Sequence, residues 1–312
     1  MAPLISILVP AFQAEMTILR CLKSLLEQTC DNYEVIIIND GSLDNTLSVC
    51  QEFVDGNKFR LYSQENIGIS ATRQKLIDFA RGKYLQFVDA DDWVAPNMVE
   101  MLVNVLHSGN YEIVISDFIQ HNKKTVEYKC QKPTALNYSS LIRDISSGKL
   151  MGVLWNKLIH KELFEDIIFP NLRYCEDWCV CVQLFKKTNN IHYHNDAYYH
   201  YDSKIVGNSL TRNINKESFK SRIDYINYLK AIEFDTLHRK EYNSRVVSIA
   251  YTAIVNEVFS DKEYSHVFRN LSCWYNCISI YKRVIVFFSK FLKLRYVKSV
   301  DSFVRKMLCK LE

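Results

Sequence analysis

The sequence predicts an α/β fold, with a mainly parallel sheet, helices on both of its faces and a helical C-terminal region. Two observations lead to this class. Short apolar runs alternate with segments of helical spacing from Ile5 to Ser116, and the chain past Asn215 has helical spacing alone. With 312 residues, 48% of them hydrophobic, the chain is long enough to bury a large core. We place a domain boundary after residue 212, between an α/β domain (1–212) and a helical region (213–312).

Each element of the α/β domain rests on a local pattern. Apart from Glu34, the run Tyr33–Ile38 is apolar and largely β-branched, which is typical of a parallel strand buried on both faces. Residues 117–149 lose the alternation, so we expect an insertion or a lid there. The predicted strands are Ile5–Val9, Tyr33–Ile38, Phe59–Tyr62, Tyr84–Val88, Glu112–Ser116 and Ile191–Tyr201, and the predicted helices are Met16–Gln28, Thr46–Phe53, Ile69–Ala80, Pro96–His107 and Glu176–Lys187.

Polar residues follow three of these strands at the ends where ligands of parallel sheets bind. The segments are Pro10–Glu15, Asn39–Ser42 and Asp89–Asp92. Three carboxylates within four residues repel one another unless a cation neutralises them. Hard oxygen ligands favour Mg²⁺ or Mn²⁺, so the third segment predicts a divalent metal site. The alternative is that Asp89–Asp92 only caps the helix that follows.

The order of the motifs resembles glycosyltransferase family 2, whose members have the GT-A fold. The motifs are Pro-x-aromatic after the first strand, Asn39-Asp40-Gly41-Ser42, Asn66-x-Gly68 with Ala71 and Arg73, and Asp89-x-Asp91-Asp92, and the match covers residues 4–115. It implies that residues 1–212 form a GT-A domain that binds a nucleotide sugar and catalyses its transfer. Phe12 stands where tyrosine is commoner.

The resemblance also assigns roles to single residues. The nucleoside pocket would be lined by Pro10, Phe12 and Glu15, and Asp40 would accept a hydrogen bond from the base. Asp91 would be the principal metal ligand. Asp89 would join it at the metal and face the ribose or the sugar, whereas the role of Asp92 stays open. Arg73 would meet the donor phosphate or base; the alternative is a plain surface arginine.

The acceptor side is predicted from the segment Tyr174-Cys175-Glu176-Asp177-Trp178. Transfer with inversion requires a carboxylate that takes the proton of the acceptor hydroxyl. By its match to the family's Glu-Asp pair, Asp177 is the predicted general base, and Glu176 orients the acceptor or a loop. Helix capping is the alternative role for both.

Three further assignments are open. Trp155, in Trp-Asn-Lys, resembles an element of the bacterial polysaccharide-assembly branch and forms part of a sugar pocket or of the core. The segment Tyr199–Thr211 resembles the family's loop over the diphosphate, with Lys204 and Ser209 as candidates. The alternating histidines 192, 194 and 200 are ordinary strand residues or a second metal site.

Charge and cysteine content bear on location. Residues 281–312 contain nine basic and two acidic residues, whereas the whole chain carries only +4. The basic residues of 281–312 are mixed with apolar ones. This pattern is typical of a helix that rests on an anionic membrane, or of a packing helix with solvated lysines. No nucleic-acid module accompanies them, so nucleic acid is not an expected partner. Ten scattered cysteines indicate a reducing compartment. We therefore expect a cytoplasmic protein at the inner face of the cell membrane.

Taken together, the sequence predicts an inverting, Mn²⁺- or Mg²⁺-dependent transfer of a sugar from a nucleotide diphosphate, UDP above all. The acceptor would be a saccharide or a lipid-linked oligosaccharide of bacterial surface polysaccharide biosynthesis. A sugar nucleotidyltransferase is one alternative, although Pro10–Arg20 contains none of the glycines of its usual loop. A non-catalytic nucleotide-sugar-binding protein is the other, and Asp91 and Asp177 argue against it.

Overall fold

The computed structural model describes residues 2–204, 216–256 and 258–264, together with 268, 285–286, 294 and 297. Contacts divide the chain into two compact units. Unit 1 comprises Met1–Ile145, Lys149–Asn171 and Glu176–Gly207, and unit 2 comprises Ser146–Gly148, Leu172–Cys175 and Asn208–Glu312. The two-domain prediction placed its boundary a few residues later, after 212.

Unit 1 is built on a nine-stranded sheet of order β3-β2-β1-β4-β8-β6-β9-β5, with β7 on β6. The first four strands of the chain are parallel; β1, β2 and β4 are buried along their whole length, whereas β3 is mostly half-buried. Their carboxyl ends therefore lie along one edge, where Ala11 pairs with Asn39. These strands are β1 (Ile5–Ala11), β2 (Tyr33–Asp40), β3 (Phe59–Gln64) and β4 (Tyr84–Phe87).

The other half of the sheet mixes directions. Strand β8 runs antiparallel between β4 and β6, and β9 runs parallel to β6 with register shifts at Asp117. The pairing of β5 with β9 sets Trp93 opposite His200, so β9 passes directly beside the acidic segment. The strands are β5 (Trp93–Val94), β6 (Ile113–His121), β7 (Val126–Lys129), β8 (Lys157–His160) and β9 (Ile191–Asp202).

Helices connect the strands and bury one face each. The first helix buries Ile18, Cys21, Leu22 and Leu25, the spacing that predicted it. The helices are α1 (Ile18–Leu26), α2 (Thr46–Gln51), α3 (Ile69–Phe79), α4 (Met98–Ser108), α5 (Tyr138–Ser147) and α6 (Glu176–Lys187), with a 3₁₀ turn at Lys161–Phe164.

The segment 117–149 departs from the expected insertion or lid. Strand β6 continues to His121 and pairs with β7, and α5 follows. The prediction missed β7 because its sequence, Val-Glu-Tyr-Lys, is half polar and its side chains alternate between exposed and half-buried. A strand of this kind at a sheet edge carries little apolar signal.

Unit 2 is helical where the structure describes it. Its helices are α7 (Lys216–Ala231), α8 (Phe234–Leu237), α9 (Arg239–Val255) and α10 (Asp261–Tyr264). The basic segment 281–312 lies outside the described residues except at four positions. Among the described helices, none has the length and apolar character that crossing a membrane requires.

Candidate active site

The loops that follow β1 and β2 are joined by hydrogen bonds. The N–H groups of Gln13, Ala14 and Glu15 donate to Ser42 Oγ at 3.1 Å, Thr46 Oγ1 at 2.8 Å and Asp44 Oδ2 at 3.1 Å. Pro10 is buried in β1, whereas the Phe12 ring is 51% exposed at the edge of the sheet. The Glu15 carboxylate accepts hydrogen bonds from the backbone and side chain of Asn45. The fixed loops therefore present one aromatic face to solvent.

Asp40, at the end of β2, organises the segment after β3. Its carboxylate accepts the N–H groups of Ile67 and Gly68 at 3.0 Å each and the Gln64 amide at 2.8 Å. The loop lies so close to β2 that a Cβ on Gly41, whose φ is +72°, would meet the Asn66 backbone nitrogen at 2.6 Å. The three N–H donors occupy three of the about four acceptor positions of a carboxylate, and Asp40 is buried.

The predicted metal ligands lie together. Oxygens of Asp89, Asp91 and Asp92 are all within 4.8 Å of one another. Asp91 is the most exposed of the three. Desolvation of its carboxyl group, and then the neighbouring Asp89, raise the pKa of Asp91 to about 6. A pair of carboxylates that disfavour each other's charge is a suitable donor set for a hard divalent cation.

Asp92 differs from the other two because it points into the core. It is fully buried and accepts the Tyr199 hydroxyl and the Asp202 N–H, both at 2.7 Å. The same hydroxyl of Tyr199 accepts the Asp89 N–H at 3.1 Å. Burial raises the pKa of Asp92 above its ordinary value. Asp92 therefore anchors the acidic loop to β9 and leaves Asp89 and Asp91 to face a ligand.

Arg20, on α1, supports the loop from the other side. Its guanidinium donates to the Asp91 carbonyl at 2.6 Å, pairs with Asp202 at 2.8 Å and lies 3.9 Å from the centre of the Trp93 ring. Lys204, exposed just after β9, donates its backbone N–H to Asp202 at 2.9 Å. Ser209, the other candidate for the diphosphate loop, lies outside the described residues.

Arg73 lies at the centre of the site. It is 4% exposed, so it is no surface arginine. Its Nη1 contacts Asp177 and, at 2.9 Å, Glu176, and its Nη2 is 3.3 Å from Asp89. The predicted metal ligand, which follows β4, and the two acids that begin α6 therefore meet around one guanidinium.

Asp177 is held by groups outside its own helix. Besides Arg73, its Oδ2 accepts the Leu154 N–H at 3.3 Å. Burial raises the pKa of Asp177 to about 7 against the opposing effect of Arg73, and Glu176 adds to the rise. A carboxyl group that titrates near neutrality can accept a proton in catalysis.

The loop that supplies Leu154 is shaped by a buried lysine. Lys157 is fully buried, and its ammonium donates to the carbonyls of Met151 at 2.9 Å and Val153 at 2.7 Å and to the Asn156 side chain at 2.7 Å. Burial lowers the pKa of this lysine. The Trp-Asn-Lys motif thus fixes the loop beneath Asp177.

Trp155 itself lies in the core and does not border open space. It is 3% exposed and stacks on Tyr199 at 4.4 Å between ring centres, with Phe118 at its edge. Of the two roles that the sequence left open for Trp155, sugar pocket or core, this position is that of a core residue. Its stack holds the ring whose hydroxyl anchors Asp92.

The histidines of β9 do not form a common cluster. His192 stacks on Tyr111, whereas His200 lies 3.0 Å from His121 and stacks on Trp93. In the part of the chain that the structure describes, the group suited to a metal ion is the aspartate cluster. The histidines of β9 are therefore arranged as ordinary strand residues.

Sequence reasoning missed Arg20, Tyr199 and Lys157. Nothing in the pattern of α1 separates Arg20 from other exposed helix residues. Tyr199 is one of several aromatic residues of β9, and its partner Asp92 is 107 positions away. Lys157 lay inside the Trp-Asn-Lys motif and Tyr199 at the start of the segment Tyr199–Thr211, but a single sequence carries no signal for the burial of the lysine or for the partner of the tyrosine.

The fold and the site are those of an α/β enzyme with a carboxylate-rich site at the ends of parallel strands. Comparison with known proteins gives the family. Residues 6–168 match the model of glycosyl transferase family 2. The chain belongs to this family, and it is therefore a glycosyltransferase.

Its relatives include bacterial proteins that are named as glycosyltransferases. EpsH of Bacillus subtilis (strain 168) is 30% identical over 271 residues, which cover 82% of this chain and 77% of EpsH. WfgD of Escherichia coli, a UDP-Glc:α-D-GlcNAc-diphosphoundecaprenol β-1,3-glucosyltransferase, is 28% identical over 60% of this chain and 71% of WfgD. Residues 1–349 of S. aureus TarS, solved with UDP-GlcNAc, have the same fold, with a TM-score of 0.73, 18% identity and coverage of 97% and 91%.

Proposed function

We propose that this chain transfers a sugar, with inversion, from a UDP-sugar to an acceptor hydroxyl, and that Asp177 is the general base. One observation carries the proposal: Arg73 contacts both Asp177 and Asp89. The two Nη atoms belong to one small planar group, so the base and a metal ligand face the same space. This arrangement supports inverting transfer, in which a base acts on the acceptor while a metal site holds the diphosphate that departs from the opposite side.

The donor nucleoside is proposed to bind at the carboxyl ends of β1 and β2. The exposed face of Phe12 would stack on the base, and the remaining acceptor position of Asp40 would receive its N–H. Pro10 and Glu15 would shape the pocket through the loops that they fix. UDP is proposed because TarS, which shares the fold, was solved with UDP-GlcNAc.

The metal would be held by Asp89 and Asp91, whose clustered oxygens fit Mn²⁺ or Mg²⁺. When bound, such an ion supplies positive charge to the departing diphosphate. The protein's own contribution is to hold the two carboxylates in place, through Tyr199 at the Asp89 N–H and Arg20 at the Asp91 carbonyl. Lys204 remains a proposed contact of the diphosphate.

In the proposed reaction, ionised Asp177 takes the proton of the acceptor hydroxyl. The hydroxyl oxygen forms the new bond to the anomeric carbon as the bond to the diphosphate oxygen breaks, and UDP leaves with that electron pair. Arg73 favours the ionised form of Asp177, and the Leu154 N–H orients its second oxygen. Glu176 shares Arg73 and would orient the acceptor.

We further propose a lipid-linked saccharide acceptor at the cytoplasmic face of the membrane. WfgD, a relative, acts on a diphosphoundecaprenol-linked sugar. The basic residues of 281–312 would attract an anionic leaflet. Flotation with anionic and with neutral vesicles, at low and high salt, tests the location. Equal recovery from both vesicle types at low salt would refute it.

Donor and reaction can be tested on purified protein. Thermal shift with UDP-, GDP- and dTDP-sugars identifies the donor, since a ligand that binds the folded state raises its apparent stability. With Mn²⁺, the protein should release UDP from one UDP-sugar, faster when acceptor is present. Pyrophosphate-dependent release of sugar 1-phosphate, with labelled pyrophosphate appearing in nucleoside triphosphate, would instead indicate a nucleotidyltransferase. Retention of the donor's anomeric configuration in the product would refute inversion.

A further inference from the structure

Arg73 is placed unlike a simple ligand of the donor. All its described partners are carboxylates, and they come from two separate segments, the loop after β4 and the start of α6. The side chain is 5% exposed, and an arginine does not lose its proton in a protein. The guanidinium is therefore a fixed charge that the surrounding carboxylates must share.

The sharing is uneven. Nη1 serves Asp177 and Glu176, whereas Nη2 contacts Asp89 at the longer distance of 3.3 Å. A divalent cation bound at Asp89 would draw on the same carboxylate and repel the guanidinium. Metal binding would thus weaken the pairing of Arg73 with Asp89 and leave more of its charge to Asp177.

We propose that Arg73 is a positioning residue that couples metal binding at Asp89 to the pairing of Asp177. This inference rests on the proposed function, in which Asp89 is a metal ligand and Asp177 the base. Because coupling between two sites is reciprocal, a change at Asp177 must alter the affinity for the metal. The loaded donor site would then hold the base firmly before the acceptor arrives.

A double-mutant cycle on the full chain tests the coupling, with Mn²⁺ binding followed by electron paramagnetic resonance and no substrate present. Asp177→Asn should weaken Mn²⁺ binding about 5-fold or more, because Arg73 then turns fully to Asp89. In the Arg73→Gln background, the same replacement should change the affinity less than about 2-fold. An equal loss in both backgrounds would mean that Asp177 acts on the metal by its charge alone, and it would overturn the coupling.

Arg73→Gln leaves several carboxylates without their cation, so its folding must be checked by circular dichroism and thermal unfolding. If it does not fold, Arg73→Met provides the second background. Methionine has an unbranched side chain without charge, so no charge can turn from Asp177 to Asp89, and the effect of Asp177→Asn should vanish there too. A full effect in that background would refute the proposal.

The cycle also separates this proposal from the one on which it depends. If the parent protein does not bind Mn²⁺ and Asp91→Ala changes nothing, the metal site itself is refuted, and the coupling with it. If the parent binds Mn²⁺ and the cycle is additive, only the coupling is refuted, and the proposed transfer reaction stands.

Discussion

Replacing Tyr199 by phenylalanine should loosen the metal site without touching a metal ligand. The change removes one hydroxyl, which donates to Asp92 at 2.7 Å and accepts the Asp89 N–H at 3.1 Å. A hydrogen bond to a charged group contributes about 1.5–3 kcal/mol, and an unsatisfied buried amide costs about 1–3 kcal/mol. Because the two effects overlap, we expect the free energy of unfolding to fall by about 3 kcal/mol. For a unit of this size, the melting temperature should fall by about 6–12 °C.

The assay that tests the anchor is Mn²⁺ titration beside thermal unfolding. Loss of a group that orients a metal ligand typically weakens binding about 10–100-fold, and we expect that range for Tyr199→Phe. The matched control is Tyr193→Phe, on the same strand, which loses its hydrogen bonds to buried Asp117 at 2.9 and 3.0 Å. The control should lose stability but keep its Mn²⁺ affinity. Unchanged Mn²⁺ affinity in Tyr199→Phe, or an equal loss in the control, would refute the anchoring role of Tyr199.

Three further outcomes are expected. Asp91→Ala should abolish the Mn²⁺-dependent thermal shift caused by the donor, because it removes the most exposed carboxylate of the cluster; a shift of parental size would contradict this. With Mn²⁺ saturating, Asp177→Asn should retain donor binding but lower kcat about 10²–10⁴-fold, measured as sugar transfer, and transfer at the parental rate would exclude Asp177 as the base. With Mn²⁺ saturating at each pH, kcat/KM should fall as the pH is lowered, by about tenfold per unit once Asp177 is protonated. The fall should begin below pH 7, because the pKa of Asp177 is about 7 without metal and bound metal, by leaving Arg73 to Asp177, lowers it. A profile that stays flat down to pH 4 in a protein that remains folded would assign the proton to another group.

The parallel half of the sheet could be predicted because each strand carries its own signal. Apolar runs such as Tyr33–Ile38 are buried throughout, and each predicted strand of β1 to β4 is present within a few residues. The position of β8 could not be predicted. Its insertion between β4 and β6 is decided by pairing with strands that are distant in sequence, and a four-residue strand has no local feature that reveals its partner.

Within the site, residue types were predictable but their orientations were not. The acidic segment holds three aspartates within four positions, Asp89, Asp91 and Asp92. The sequence cannot tell which of the three faces the core. That choice depends on Tyr199, which lies more than 100 positions away. Arg73 was predicted to face the donor for a similar reason: its partners Glu176 and Asp177 are also more than 100 positions distant.

Charge balance connects these features to the order of the reaction. Arg73 is shared by Asp89, Glu176 and Asp177, and Asp91 lies beside Asp89, so carboxylates outnumber the guanidinium at their centre before any ligand arrives. A nucleotide diphosphate adds further negative charge, and such a site repels it. Because Arg73 is already shared among carboxylates, it cannot neutralise the diphosphate without releasing Asp177. On the proposed function, a divalent ion at Asp89 and Asp91, with Lys204, would supply the charge for the donor, and its arrival would leave Arg73 to the base. Donor binding and preparation of the base would then be consequences of the same redistribution of charge.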